Sequence, residues 1–323
     1  MRQLTRRDFL ERAAAVAAVA AMPGRSAAAL QGRDAGQVYI SLNGSVARGV
    51  GWPDLARLAA RTGFGGVDWS LGPAKTAGVE ATKALFAELK IRPSIVNLPI
   101  ARPLPFGGDQ AAFTQALTAL ADDAAFTSAI GCDRMMLVLS PTGPVPKAEH
   151  RKFVRDRLAA IADVLQRSNL RLGLEFLGVQ SFRAGREGGP PPNPFIWTLP
   201  ETVELAKDSG PNIGVILDVW HWHHSGGTVA DILAAPAPRI IHVHLSDAKA
   251  QPAEEVRDNQ RLMPGEGIID VTGFLQALKK IGYAGGISPE PLGRVPAEMT
   301  PEDGARLALD TTKAALAKAG LAI

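Results

Sequence analysis

Short apolar runs alternate along the chain with stretches whose apolar positions recur every three to four residues. Eight runs stand out: Gln37–Leu42, Gly66–Ser70, Arg92–Leu98, Arg134–Ser140, Arg171–Leu177, Ile213–Val219, Arg239–Ser246 and Gly286–Pro291. They are short and partly β-branched, and read as strands buried on both faces, as parallel strands are. Helical spacing is found over Trp52–Gly63, Val79–Leu89, Asp109–Ile130, Lys147–Ser168, Pro200–Ser209, Thr228–Ala234, Val271–Ile281 and Pro301–Ala319. The first of these has Pro53 near its start and Gly63 at its end, the asymmetry expected of a helix. Eight strands alternating with eight helices predict a single-domain (β/α)8 TIM barrel over residues 30–323. An open doubly wound sheet is the alternative, weakened because no Gly-rich phosphate fingerprint follows the first strand. Two connections are long, Gly178–Leu199 after the fifth run and Ala248–Gly267 after the seventh. Both belong to the rim where such barrels carry their sites.

Charge and composition sharpen this picture at the N-terminus. Of the 35 basic and 32 acidic residues, five arginines and two acids fall within residues 1–29, leaving 30 of each sign in the body. A balanced body gives no electrostatic case for nucleic acid or an anionic membrane. Residues 1–29 have a charged start, a weakly apolar run from Ala13 to Met22 and the small residues Ala27, Ala28 and Ala29. That is the layout of a cleaved export signal. Thr5-Arg6-Arg7-Asp8-Phe9-Leu10 resembles the signal read by the twin-arginine machinery, which exports folded proteins. The expected location is therefore periplasmic or secreted, with no stable membrane anchor, since the run is shorter than the ~20 apolar residues a span needs. Cys132, the one cysteine, excludes an internal disulfide and reads as a structural thiol.

Candidate chemistry sits at the ends of four consecutive strands. Glu175 lies near the end of the fifth, Asp218 ends the sixth, His244 is near the end of the seventh and Glu290 ends the eighth. Alternation puts Gly173 and Glu175 on one face against Leu172, Leu174 and Phe176, and His242 and His244 on one face against Ile241, Val243 and Leu245. The helix-facing side must be apolar, so the polar side points into the barrel. Unpaired, three inward carboxylates would cost several kcal/mol each or take up protons. A divalent cation bound by three carboxylates and one imidazole removes that cost. Such a donor set favours Mn²⁺, Mg²⁺ or Co²⁺, with Zn²⁺ or Fe²⁺ as further candidates. The competing explanation is an internal salt-bridge network, against which no strand supplies an inward Arg or Lys at that level.

The segments Gly173-Leu174-Glu175, Leu217-Asp218-Val219-Trp220-His221, His242-Val243-His244-Leu245, Arg261–Gly267 and Gly286–Glu290 occur in an order and placement that resemble the xylose isomerase-like TIM barrels. That family includes ketose 3-epimerases, hydroxypyruvate isomerase, inosose dehydratase and, more remotely, endonuclease IV. The resemblance implies one metal bound by Glu175, Asp218, His244 and Glu290, with Glu175 and Glu290 doubling as catalytic acid and base. It implies His221 and Arg261 as contacts to substrate oxygens. Arg261 stands seventeen residues beyond His244, further than in the epimerases, after an insertion that also brings Asp247 and Asp258. These two acids read as solvated loop residues or as support for a second metal. The trinuclear zinc site of the endonuclease is excluded, because the second and third strands end in Asp68 and Asn97 rather than histidine.

Trp69, Trp197, Trp220 and Trp222 fall near the same rim, where aromatic faces stack on sugar C–H faces; Trp69 and Trp220 are the candidates for the pocket wall. Arg183 and Arg186 read as solvated, His150 as a surface helix residue and His242 as a hydrogen-bonded core histidine. His223 and His224 read as loop residues. The function expected is a metal-dependent sugar isomerase or epimerase working through a metal-stabilised enediolate, on an unphosphorylated carbohydrate. A lyase or hydratase on a keto-sugar or 3-keto-glycoside would use the same chemistry, and a non-catalytic sugar-binding barrel is the third reading. A homo-oligomer is compatible with this reading.

Overall fold

A computed structural model describes residues 36–184, 192–296, 298–321 and 323. The export-signal-like leader and Arg186 lie outside the described residues. Eight strands alternate with helices: β1 (Tyr39–Leu42), β2 (Gly66–Asp68), β3 (Arg92–Asn97), β4 (Arg134–Leu139), β5 (Arg171–Phe176), β6 (Ile213–Asp218), β7 (Ile240–Leu245) and β8 (Gly286–Pro289). They close into one parallel barrel in which each strand pairs with its sequence neighbours and β8 returns to β1. The predicted barrel is the observed one, and the doubly wound alternative falls.

The α-helices among the described residues are α1 (Asp54–Thr62), α2 (Leu71–Ala77), α3 (Val79–Leu89), α4 (Gln110–Ala129), α5 (Lys147–Arg167), α6 (Leu199–Ser209), α7 (Val219–His224), α8 (Val229–Ala234), α9 (Val271–Ile281) and α10 (Pro301–Lys318). Local chemistry sets their ends. Asp109, Asp270 and Thr300 each accept a hydrogen bond from a first-turn N–H of α4, α9 and α10, which satisfies donors the helix leaves orphaned. None of them is long and apolar enough to cross a membrane.

Most of the core lies between strands and helices, where Leu172, Leu174, Phe176, Val215 and Leu217 are fully buried. Inside the barrel a small separate cluster of Ile95, Ile216 and Ile241 forms the plug, with Met136 against it. Gly173 makes room for it: a Cβ there would meet Ile216 Cδ1 at 2.2 Å. Ile241 was expected on the helix side. The pairing of β6 with β7 runs from Val215↔Ile240 to Ile216↔His242, so Ile241 is the extra residue of a bulge and packs inward. His242 and His244 also face the interior, as alternation predicts. The plug is the floor on which the polar rim stands.

Candidate metal centre and active-site cavity

The four residues from the ends of β5, β6, β7 and β8 meet. Glu175, Asp218, His244 and Glu290 each offer a ligand atom, and these lie within 4.8 Å of one another. Strand register brings this about: Asp218 pairs directly with His244, and His244 with Ser288, two residues before Glu290. His244 Nδ1 is 2.7 Å from Glu175 Oε1 and 3.4 Å from Glu290 Oε2. Its Nε2 is buried with no hydrogen-bond partner among the described residues. Asp218 divides its two oxygens. Oδ1 accepts from Trp220 N at 2.8 Å as the cap of α7, leaving Oδ2 for the site.

Arg261 enters from the connection after β7. Its Nη1 is 2.8 Å from Asp218 Oδ2 and 2.9 Å from Glu290 Oε2, while Nη2 donates to Asp258 Oδ1 at 2.7 Å. Nη2 is also 3.3 Å from His221 Nε2. A guanidinium therefore supplies part of the counter-charge that the sequence assigns to a metal alone, and it comes from a loop rather than a strand. The acids still exceed what one arginine can balance. Three carboxylates and one imidazole within this span fit a divalent cation.

The electrostatics follow from this crowding. Burial alone would lower the His244 pKa, but Glu290, Glu175 and Asp218 outweigh it and raise it to about 10. Burial raises Glu290 to about 7, against the pull of His244 and Arg261. Burial also disfavours the Asp218 carboxylate, but Arg261, His221 and His244 together hold its pKa below the ordinary value. Burial lowers the His221 pKa.

A cavity of about 530 Å³ stands over these residues. Glu175, Glu290, His221 and Arg261 line it, as does Trp69 on the opposite side. Trp220 is fully buried outside that wall, with its ring 5.5 Å from the Arg261 guanidinium; it supports the arginine instead of facing the cavity. Trp222 packs on Phe274 and donates to Thr228 O, and Trp197 lies under Arg183 and Lys147.

Other expectations are revised. His221, His223 and His224 lie on α7, not in a loop, because Asp218 caps a helix there. Asp247 is fully buried and accepts from the backbone N–H groups of Ala248, Gly265, Gly267 and Ile269. It folds the connection that delivers Arg261. Asp258 is held by Arg261 at the cavity wall. His150 is buried against Phe195, with ring centroids 4.5 Å apart. Arg183 is half-buried over Trp197 and donates to Gly178 O. His242 is the expected core histidine, 2.7 Å from Ser288 Oγ, and Cys132 is a buried thiol whose pKa burial pushes up to about 11.

Sequence reasoning missed the wall facing Glu175, Asp218, His244 and Glu290. Asp68 accepts from Ser41 Oγ at 2.7 Å, Ser288 Oγ at 3.0 Å and Asn43 Nδ2 at 3.1 Å. Asn43 Nδ2 also reaches Glu290 Oε1 at 3.4 Å. Burial raises the Asp68 pKa despite these donors. The period-two pairs Ser41/Asn43 and Ser288/Glu290 carried the signal.

A profile of the xylose isomerase-like TIM barrel family matches residues 56–315. An inosose isomerase of Halalkalibacterium halodurans is 26% identical over 173 residues, 53% of this chain and 57% of that protein. An inosose dehydratase of Geobacillus thermodenitrificans is 29% identical over 102 residues, 28% of this chain and 34% of that protein. The chain thus spans about half the length, or less, of the curated relatives it matches. Among solved structures, a xylose isomerase domain protein of Alicyclobacillus acidocaldarius superposes with a TM-score of 0.78 at 25% identity, covering 88% of this chain and 99% of that one. The IOLI protein with a bound zinc atom superposes with a TM-score of 0.72 at 21% identity, covering 87% and 98%.

Proposed function

Because the chain belongs to the xylose isomerase-like TIM barrel family, we propose that it is a divalent-metal-dependent isomerase or epimerase of a sugar or of a carbonyl compound derived from a cyclic polyol. The observation that carries this reading is the pairing of Glu175 and Glu290 on one cavity, both within 3.4 Å of His244 and beside Asp218. Glu175, Asp218 through Oδ2, His244 and Glu290 would hold the cation. The cation supplies positive charge that makes protons next to a carbonyl acidic.

This chain's own residues would do the rest. Glu290, which lines the cavity, would exchange a proton with the substrate. Glu175 would return or remove one on the other side. Arg261 and His221, both lining the cavity, would hold substrate oxygens. Asn43 and Asp68 would orient Glu290 from behind. Mn²⁺ is the first cation to test, since hard oxygen donors dominate the set.

A dehydratase is the second reading, favoured by the likeness to the inosose dehydratase and by the same enolate chemistry. Both readings are tested by incubating the metal-loaded protein with an inosose and with a free ketose in D₂O and following the reaction by NMR. Deuterium at a carbon beside the carbonyl, with no bond lost, supports isomerisation. Loss of water supports the dehydratase. No exchange and no elimination with either compound sinks both. Export by the twin-arginine machinery to the periplasm or beyond is part of the proposal on the strength of residues 1–29. An Arg6→Lys/Arg7→Lys variant that still leaves the cell interior would contradict it.

A further inference from the structure

The cavity over the carboxylates continues sideways. A second cavity of about 660 Å³ opens along the same rim and shares Arg102, Val138, Leu177 and Phe182 with the first. Its remaining wall comes from the connections after β3 and β4, with Phe106, Pro141 and Pro144 prominent.

The two halves differ in kind. The first is walled by Asp68, Glu175, Asp258, Glu290 and Arg261, whereas among the described residues the second has no carboxylate in its wall. The second also holds His150, whose pKa burial lowers. Prolines and phenylalanines make much of this wall apolar, which suits an aromatic face better than a hydroxylated one. Size points the same way. Pockets of roughly 300–1,000 Å³ suit drug-sized ligands, so the first cavity at about 530 Å³ already has room for one hydroxylated ring. A one-ring substrate would leave the larger second cavity without a role. Phe182 stands at the junction, on a short 3₁₀ turn (Gln180–Arg183), with its ring edge-on to His221 at 6.2 Å.

We propose that the second cavity is a subsite for a flat apolar substituent, so that the substrate is a keto-sugar carrying an aromatic aglycone. The inference rests on the proposed function for the reacting ring and adds no chemical step of its own. Burial of the aglycone would supply binding energy remote from the carbonyl and fix the sugar ring over Glu175 and Glu290.

The test uses the full chain loaded with Mn²⁺ and two probes, methyl and phenyl 3-keto-β-D-glucopyranoside, with affinities read by calorimetry. The phenyl compound should bind about tenfold tighter or more, as an aromatic ring placed in an apolar pocket does. Gly107 lines only the second cavity, and a Cβ there meets nothing within 4 Å. In Gly107→Trp the two affinities should come within about twofold of each other. Equal affinities in the unaltered protein, or no binding of either probe, would overturn the proposal. So would a phenyl preference that survives both Gly107→Trp and Phe106→Ala. Deuterium exchange in D₂O keeps the two ideas apart. Exchange without a phenyl preference removes the subsite and keeps the isomerase reading; a phenyl preference without exchange does the reverse.

Discussion

The barrel buries charge at both ends, and the two groups are built differently. At the start of the strands, Asp133 accepts from Arg134 Nε at 2.7 Å and Arg171 Nη2 at 3.1 Å, and Arg134 Nη1 donates to Ile241 O at 2.9 Å across the barrel. All three residues are at most 6% exposed. At the other end, Glu175, Asp218, Glu290 and Asp258 crowd around Arg261 and His244, under an open cavity. In the lower group Asp133 accepts from two arginines, and Arg134 ties a third strand to them. The upper group keeps a surplus of acid and access from solvent. Burial of charge does not by itself mark a site, since both groups have it. Surplus charge with access does.

Substitutions at the two ends should separate the two roles. The largest effect is expected at the upper end. Glu290→Gln should lower deuterium exchange into substrate by about 10²–10⁴-fold, the usual contribution of a general acid–base group, with no loss of melting temperature. At the lower end the order reverses. Asp133→Ala removes an acid that accepts from two buried guanidinium groups and should cost about 2–3 kcal/mol of folding stability in denaturant titrations. The exchange rate per folded molecule should not change. If Asp133→Ala instead weakened Mn²⁺ binding, the division between the ends would be wrong.

Arg261 is the sharper case, because it belongs to the upper group and competes for the same oxygens as a cation. Arg261→Ala should raise KM about tenfold through lost charge-assisted hydrogen bonds to substrate. It should also tighten Mn²⁺ binding, read by calorimetry. Weaker metal binding in this variant would mean that the arginine helps to build the metal site.

The smallest expected effect concerns α7. Burial lowers the His224 pKa to about 4, against about 6.5 in the unfolded chain. Between these values the unfolded state takes a proton that the folded state refuses. His224 therefore takes away stability as pH falls through that window and costs none above it. Glu290 and Asp68, raised by burial, act in the opposite sense at acid pH, so the clean reading is a difference. The drop in melting temperature from pH 6.5 to 4.5 should be about 2 °C or more larger in the unaltered protein than in His224→Asn. An identical drop would place His224 in contact with water.

Which parts were legible in the sequence follows the same division between regular and irregular structure. Each barrel strand lies inside a run read from apolar composition, and α3 and α9 match at both ends, because period and caps are local signals. The residues Glu175, Asp218, His244 and Glu290 were legible because they end strands, whose direction alternation fixes. The helix α7 was not, since six residues with three histidines carry no helical period and the helix depends on the Asp218 cap. The helix α2 was hidden by Gly72 and Pro73 in its first turn. The inward turn of Ile241 depends on a bulge set by the neighbouring strand. Arg261 reaches the site because Asp247 gathers four backbone N–H groups, an arrangement with no period to read.

Metal titration tests the central claim most directly. Protein stripped with a chelator and titrated with Mn²⁺ in a calorimeter at pH 7.5 should take up one ion per chain. Glu175→Gln and Asp218→Asn should each weaken that binding by more than about 100-fold, since each removes a charged ligand. Absence of binding, or the same affinity in both variants as in the unaltered protein, would contradict a metal centre at the ends of β5 to β8.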